Sequence, residues 1–111
     1  MKVHYDGMGA FGATFHASGV EEGAVVRLDE SGAAVLCSAG EQFVGVCTIV
    51  REQLCHIQLG GLIRVRCSGT IPGIGFAYLR ADGAGGVCAG VGGREHLIVA
   101  QNDDGTIVIK L

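Results

Sequence analysis

Short apolar runs separated by glycine or turn residues recur along the whole chain, and no window holds three turns of an amphipathic helix. Runs of this length between turn residues are typical of β-strands. The pattern predicts an all-β protein. Its predicted strands cover residues 2–5, 13–17, 24–28, 33–37, 43–50, 54–59, 62–67, 76–79, 87–89, 96–101 and 106–111.

Turn residues connect some of these strands into predicted hairpins. The pair Gly60-Gly61 separates the runs 54–59 and 62–67 and predicts a two-residue hairpin turn between them. The segment 102–105, Asn-Asp-Asp-Gly, predicts a second hairpin before the last strand. The run 43–50 is apolar at nearly every position, so we expect this strand to lie in the middle of a sheet.

The run 62–67 alternates clearly between apolar and charged positions. Ile63 and Val65 fall on one face, and Arg64 and Arg66 fall on the other. A period of two is the mark of a half-buried strand. The two arginines therefore face solvent or an acidic partner.

One turn-and-strand unit occurs twice. The segment 28–37 is echoed by 79–88, so that Leu28 aligns with Leu79 and the Ser-Gly turn of the first copy with the Asp-Gly turn of the second. Such turns supply the positive φ that tight hairpins need. The repeat predicts a small single-domain β-sandwich or partly closed barrel, built of short hairpins with an internal duplication. We expect residues 19–111 to form this β domain and residues 1–18 to form an N-terminal arm or an edge strand.

Composition points to a binding protein. Apolar residues make up 49% of the 111 residues, charged residues only 17%, and there are 20 glycines. The charged share lies below the ~25% of ordinary domains, which favours a surface that meets a partner. The net charge of −3, with no basic stripe and no Trp, argues against nucleic acid as that partner. No run of membrane-spanning length or signal-peptide type occurs, so we expect no membrane partner and folding in the cytoplasm.

Candidate chemistry is sparse. The five cysteines are an odd number without an export signal, which favours reduced, buried thiols. They form no Cys-x2-4-Cys pair for zinc. Cys55 and His56 are adjacent on a strand and point to opposite faces, so they make a poor catalytic pair. The Gly-x-Gly-x-x-Gly match at 7–12 is not followed by a helix that would bind pyrophosphate. We predict no catalytic residue, no metal site and no cofactor.

The order of these elements resembles the capsid decoration, or head cement, proteins of tailed phages and prophages. The resemblance covers residues 19–111 and rests on Gly and apolar spacing. Its parts are the Gly-led strand 23–28, the Phe-Val-Gly-Val strand at 43–46, the segment Gly-Gly-Leu-Ile-Arg-Val at 60–65 and the Pro-Gly-Ile-Gly-Phe segment at 72–76. It implies a non-enzymatic structural protein that binds the major capsid protein on the outside of the head, often as a trimer. The implied location is the virion surface, after assembly in the host cytoplasm.

The residues that we expect to make subunit or capsid contacts are Tyr5, Phe11, Arg64 and Arg66. The first two are apolar anchors of a Gly-rich segment, residues 1–12, which either binds a neighbouring subunit or forms an ordinary edge strand. A carbohydrate- or receptor-binding module of a phage tail or cell surface is the alternative function. The absence of Trp and the presence of only two Tyr weigh against it, and a small enzyme is a further, weaker alternative.

Overall fold

The computed structural model describes residues 7–111, and every regular element in this part of the chain is a β-strand. The prediction of an all-β fold is confirmed. The ten strands are β1 (Phe11–His16), β2 (Val25–Leu28), β3 (Ala34–Leu36), β4 (Gly45–Arg51), β5 (Leu54–Gly60), β6 (Leu62–Arg66), β7 (Gly75–Ala81), β8 (Val87–Ala89), β9 (Arg94–Gln101) and β10 (Thr106–Lys110).

The strands form two five-stranded antiparallel sheets with the same topology. The first sheet, from the first half of the chain, has the order β1-β5-β4-β2-β3, and the second sheet, from the second half, has the order β6-β10-β9-β7-β8. The internal duplication therefore extends over both halves. Each sheet curls until its outer strands meet at one parallel bridge, between Ala17 and Ala34 in the first and between Cys67 and Val87 in the second. One bridge does not close a barrel, so each sheet is only partly closed.

The predicted strands from 13–17 onward each correspond to one observed strand, with small differences at the ends. The predicted strand 2–5 lies outside the described residues. The hairpin between β9 and β10 is confirmed, because these strands are paired across the turn at 102–105. The central position of the 43–50 run is also confirmed, because β4 lies between β5 and β2.

The predicted hairpin at Gly60-Gly61 is wrong. Its two strands, β5 and β6, belong to different sheets, so the glycines join the two halves of the chain. Gly61 has a φ of 83°, and a Cβ atom there would lie 2.5 Å from the carbonyl carbon of Gly9. The neighbouring Leu62 N–H donates to the Met8 carbonyl at 2.9 Å. The glycine pair thus permits a close approach of the N-terminal segment. In the sequence, glycines needed for such an approach look the same as glycines of a hairpin turn.

The two repeated hairpins, β2–β3 and β7–β8, are equivalent in topology, but their register differs from the sequence alignment. The strand ladders place Arg27 opposite Val35 and Arg80 opposite Cys88. Arg80 is therefore the counterpart of Arg27. The structural alignment differs from the sequence alignment by two residues, so that Leu28 matches Ala81 and not Leu79. The Gly-rich turn of the second copy conceals this shift, because several alignments match glycine with glycine.

The turns themselves support the structural register. Asp29 and Asp82 open the two turns, and Oδ1 of each accepts the backbone N–H groups two and four residues further on, a local hydrogen-bond pattern that shapes the loop. The acceptor distances are 2.9 Å to Ser31 and 3.0 Å to Ala33 for Asp29, and 2.7 Å to Ala84 and 3.1 Å to Gly86 for Asp82. The Ser31 hydroxyl and these N–H groups lower the pKa of Asp29.

Apolar side chains form two cores. The inter-sheet core joins both sheets and the first-half core lies on the far side of the first sheet. The inter-sheet core comprises Val25, Cys37, Phe43, Val46, Ile63, Val65, Cys67, Leu79, Ala81, Val87, Ile98, Ile107 and Ile109. The first-half core comprises Val20, Val26, Ala34, Cys47, Cys55 and Ile57. Because neighbouring Val46 and Cys47 of β4 enter different cores, the centre of the first sheet is buried on both faces.

His96 is a buried polar residue beside the inter-sheet core. Its ring stacks on Phe43 with centroids 5.0 Å apart, and Nδ1 lies 2.9 Å from the Lys110 carbonyl. Since a carbonyl only accepts, Nδ1 carries the proton, and the buried Nε2 has no hydrogen-bond partner among the described residues. Burial lowers the pKa of His96, against a smaller opposing effect of the Lys110 carbonyl. The folded protein therefore favours the neutral form of the His96 imidazole.

We predict that His96 makes stability depend on pH below neutrality. The unfolded chain binds a proton near pH 6.5, whereas the folded chain resists protonation. The free energy of unfolding should therefore fall as the pH drops below about 6.5, by at most about 1.4 kcal/mol per pH unit. His96→Gln should flatten this dependence in urea denaturation between pH 7.5 and 5. The control His16→Gln, at an exposed imidazole, should leave it unchanged, and an unchanged slope in His96→Gln would contradict the assignment.

We also predict that both turn aspartates stabilise the fold and that Asp82 does so more strongly. Each aspartate also accepts a hydroxyl, but Asp29 accepts that of Ser31 within its own turn, at 2.7 Å, whereas Asp82 accepts that of the distant Ser68 at 2.9 Å. Asp82→Ala should therefore lower the free energy of unfolding by about 1–2 kcal/mol. Asp29→Ala should have a smaller effect. The Asn variants keep the amide oxygen as an acceptor and should retain most of the stability. Equal stability of Asp82→Ala and the wild type in denaturant titrations would refute this account of the turns.

Candidate interaction surface

The four predicted contact residues lie in three places. Tyr5 lies outside the described residues. Phe11 begins β1 at the margin of the first sheet, where 63% of its surface is exposed. Its ring lies over Gly60, where any Cβ atom would collide with it. Arg64 and Arg66 lie on the outer face of β6 in the second sheet, as the alternation predicts.

Arg64 and Arg66 line a cleft of about 690 Å³ between the two halves. The carboxylates of Glu22 and Asp104 line the same cleft, so these four charges balance. The Thr106 hydroxyl and N–H lower the pKa of Asp104, and Arg64 adds a smaller effect in the same direction. Arg66 donates to the Ala84 carbonyl at 3.4 Å. The two arginines thus line a polar cleft in which two carboxylates balance their charge. Their contact with an acidic partner remains a prediction.

The strand β1 forms the first of two exposed apolar surfaces. All residues from Phe11 to Thr14 are exposed, on both faces of the strand. Within the described residues, β1 is paired along its length only with β5, and its other edge meets β3 at the single Ala17–Ala34 bridge. Residues 7–20 contain no Asp, Glu, Lys or Arg. Natural proteins commonly protect such edges with charge, and this edge has none. We call β1 with Met8 the β1 surface.

The second exposed apolar surface follows β7 and was missed by sequence reasoning. Ile74, Phe76 and Tyr78 alternate along the chain and are 63%, 71% and 58% exposed. Cross-strand pairing places Leu97 beside Phe76 and Glu95 beside Tyr78. Ile74, Phe76 and Tyr78, which we call the β7 surface, lie in a stretch, residues 68–79, with no charged side chain. The sequence Phe-Ala-Tyr-Leu hides this surface because it is apolar at every position and gives no period of two.

The candidate chemical groups remain apart. Cys55 enters the first-half core, whereas Nδ1 of His56 lies 3.0 Å from the Thr48 hydroxyl on the other face. Within residues 7–111, no three His, Cys, Asp or Glu side chains are grouped to hold a metal ion. In the same residues, no helix is long and apolar enough to cross a membrane.

The five cysteines are free thiols in different environments. Burial raises the pKa of Cys37 and Cys47 to about 11 each, and raises the pKa of Cys55 and Cys67 as well. A thiol reacts through its thiolate, which these four sites disfavour. Cys88 alone is partly exposed.

Comparison with known proteins adds no relative: neither a protein family, nor a curated protein, nor a solved structure matches this chain. The functional proposal therefore depends on the surfaces described above and on the resemblance in the sequence.

We predict one fast thiol in the native protein. Titration with a thiol reagent at pH 8 should show a single fast group, Cys88, and denaturation should release the other four. Cys88→Ser should remove the fast phase and leave four slow thiols. Two or more fast groups in the native wild type would contradict the burial of the other cysteines.

Proposed function

We propose that this protein is a non-enzymatic structural protein of a tailed phage or prophage. In this role it decorates the capsid, binding the major capsid protein on the outer surface of the head and stabilising the shell. It acts as a homo-oligomer, with a trimer favoured, and resides on the virion surface after assembly in the host cytoplasm. The observation that carries the proposal is the β1 surface, an exposed and uncharged edge strand on a rigid, duplicated β fold.

The β1 surface has the composition of an interface centre. Such centres are depleted of charge and enriched in aromatic residues and Met. Phe11 and Met8 are 63% and 56% exposed, and they lie in a stretch, residues 7–20, that contains no Asp, Glu, Lys or Arg. The free edge of β1 also offers backbone groups to which an extended segment of a partner can add as a further strand. A capsid protein loop docked there gains main-chain hydrogen bonds and a ring contact together.

Binding to an assembled shell stabilises that shell by mass action. A ligand that binds only the assembled form shifts the equilibrium towards it by RT ln(1 + [L]/Kd), about 2.7 kcal/mol per site at a hundredfold excess over Kd. The effect is larger for a rigid ligand, because little conformational entropy is lost on binding. Two cores, with the central strand β4 of the first sheet between them, supply that rigidity.

A carbohydrate- or receptor-binding module is the second candidate. The observation that favours it is the neighbouring pair of exposed rings on β7, Phe76 and Tyr78, with the Glu95 carboxylate beside Tyr78. Sugar sites combine an aromatic platform with polar partners, and a ring pair flanked by a carboxylate is a small version of that arrangement. This candidate uses the β7 surface, whereas capsid decoration uses the β1 surface, so the two are separable by mutation.

We predict that the purified protein binds expanded heads assembled from the major capsid protein of the same phage or prophage genome. It should co-sediment with them and raise the temperature at which they disrupt. Phe11→Asp should weaken this binding at least about tenfold, because a charge replaces an apolar contact at the interface centre, while the melting temperature of the free protein stays nearly unchanged.

Val91→Asp is the matched control, since Val91 is 92% exposed and lies away from β1 in the loop after β8. It should bind heads like the wild type. Wild-type protein that ignores the heads would refute the decoration role. Saturable binding to a glycan array, abolished by Tyr78→Ala and unaffected by Phe11→Asp, would establish the second candidate.

A further inference from the structure

We propose that the β7 surface is the docking site for the first half of a second copy of this chain, in a head-to-tail contact. The role of the resulting assembly rests on the proposed function, but the contact itself is argued from the two halves of the chain. The two halves have the same topology, so each surface of one half has a counterpart on the other.

The counterpart of Tyr78 is Val25. The ladders match Arg80 with Arg27, and two positions earlier in each strand lie Tyr78 and Val25. The next strand agrees, because Tyr78 is paired with Glu95 where Val25 is paired with Val46. Tyr78 and Glu95 therefore occupy, on the second sheet, the place that Val25 and Val46 occupy on the first.

On the first sheet, the position of Val25 and Val46 is completely covered by the second half. Val25 and Val46 are each only 1% exposed and belong to the inter-sheet core. The Val25 N–H donates to the Gly85 carbonyl at 2.9 Å, and the Gly40 N–H donates to the Ala81 carbonyl at 2.8 Å. The cover is thus supplied by the β7–β8 hairpin of the other half.

On the second sheet the same place is open within the described residues. Tyr78 is 58% exposed, and the adjacent Phe76 is 71% exposed. The apolar side chains are larger here than on the first sheet, yet nothing in the described part of the chain covers them. Glu95, which replaces Val46, marks the solvated margin of this face. On the first sheet, an intramolecular contact with the second half buries this position. On the second sheet, a second copy can bury the equivalent position through the same kind of contact.

The element that makes the cover has its own counterpart, exposed on the first half. By the same correspondence, Ala81 and Gly85 of the β7–β8 hairpin match Leu28 and Gly32 of the β2–β3 hairpin. Gly32 and Gly85 have the same left-handed conformation, with φ values of 84° and 93°. Leu28 and Gly32 are exposed, whereas Ala81 and Gly85 are buried. We call this tip, residues 28–32, the head surface.

Arg80 supplies a charge that complements the head surface. The head surface carries the carboxylates of Asp29 and Glu30, and Arg80 lies on the same face of β7 as Tyr78, two residues further on. Arg80 therefore meets an opposite charge at the margin of the contact, Glu95 lies on the other side of Tyr78, and the ring of Tyr78 meets Leu28 at its centre. The contact is heterologous, because the head and β7 surfaces differ, so successive copies form a ring or an open chain. A ring of three agrees with the trimer favoured above.

Two single-surface variants test this contact with the full-length protein. Tyr78→Asp disables the β7 surface, and Leu28→Asp disables the head surface. Each alone should weaken self-association at least about tenfold in sedimentation equilibrium. An equimolar mixture should form a 1:1 heterodimer, because one intact head surface and one intact β7 surface remain. Val91→Asp, the control, should assemble like the wild type. Glu30→Arg, at an exposed turn position, replaces Leu28→Asp if that variant melts early.

Three results would overturn the proposal. One is a wild type that stays monomeric at its highest soluble concentration. Another is self-association that survives both Tyr78→Asp and the head variant. The third is a Leu28→Asp protein that still dimerises and gains nothing from mixing, which would indicate a symmetric contact between two β7 surfaces. Binding of the wild type to phage heads is measured separately. A wild type that binds phage heads but does not self-associate refutes this contact alone, and a wild type that self-associates but does not bind phage heads refutes the decoration role alone.

Discussion

The packing of the first sheet against the second is the interaction on which the rest of the structure depends. Val25, Phe43 and Val46 of the first half complete the inter-sheet core, most of which comes from the second half. Without them the second sheet has a core open on one side, and without the second half the first sheet exposes a row of valines. Each half would expose part of its buried apolar surface without the other, so we expect the two repeats to unfold together.

Duplication followed by divergence explains why the two halves are unequal. The centre of the first sheet has a core on each face, and half of the six residues of the first-half core are small: Ala34, Cys47 and Cys55 pack there with Val20, Val26 and Ile57. The second sheet is an outer layer with one face towards the core, where larger isoleucines and Leu79 pack. Its other face combines charged side chains with exposed rings. The same topology therefore yields a first sheet whose centre is covered on both faces and a second sheet whose outer face is open.

The strands were predictable from the sequence because each apolar run is short and bounded by turn residues. Which strands share a sheet was not predictable from local pattern, as Gly60-Gly61 shows: the pair has the chemistry of a hairpin turn and serves as a junction between halves. The repeat was detectable, but its register was not, since the decisive feature is the aspartate that opens each turn rather than the glycines that follow it. Asp29 and Asp82 fix that register through the same backbone hydrogen bonds.

The exposed surfaces were harder to predict than the core, for a physical reason. A half-buried strand is recognisable when one face is polar, as in β6, where Arg64 and Arg66 alternate with buried residues. A strand that meets a partner is apolar on both faces and resembles a buried central strand. β7 and β4 look alike in sequence, yet β4 lies between two cores and β7 exposes its rings. In β1, low charge appears together with an edge that the rest of residues 7–111 leaves unpaired except at one bridge, which is unfavourable for a solitary monomer. In the proposed assembly the β1 surface meets the capsid and the β7 surface meets a second copy, so both apolar surfaces become interfaces. In that assembly, the apolar strands that the described part of the fold leaves uncovered are therefore the features that bind partners.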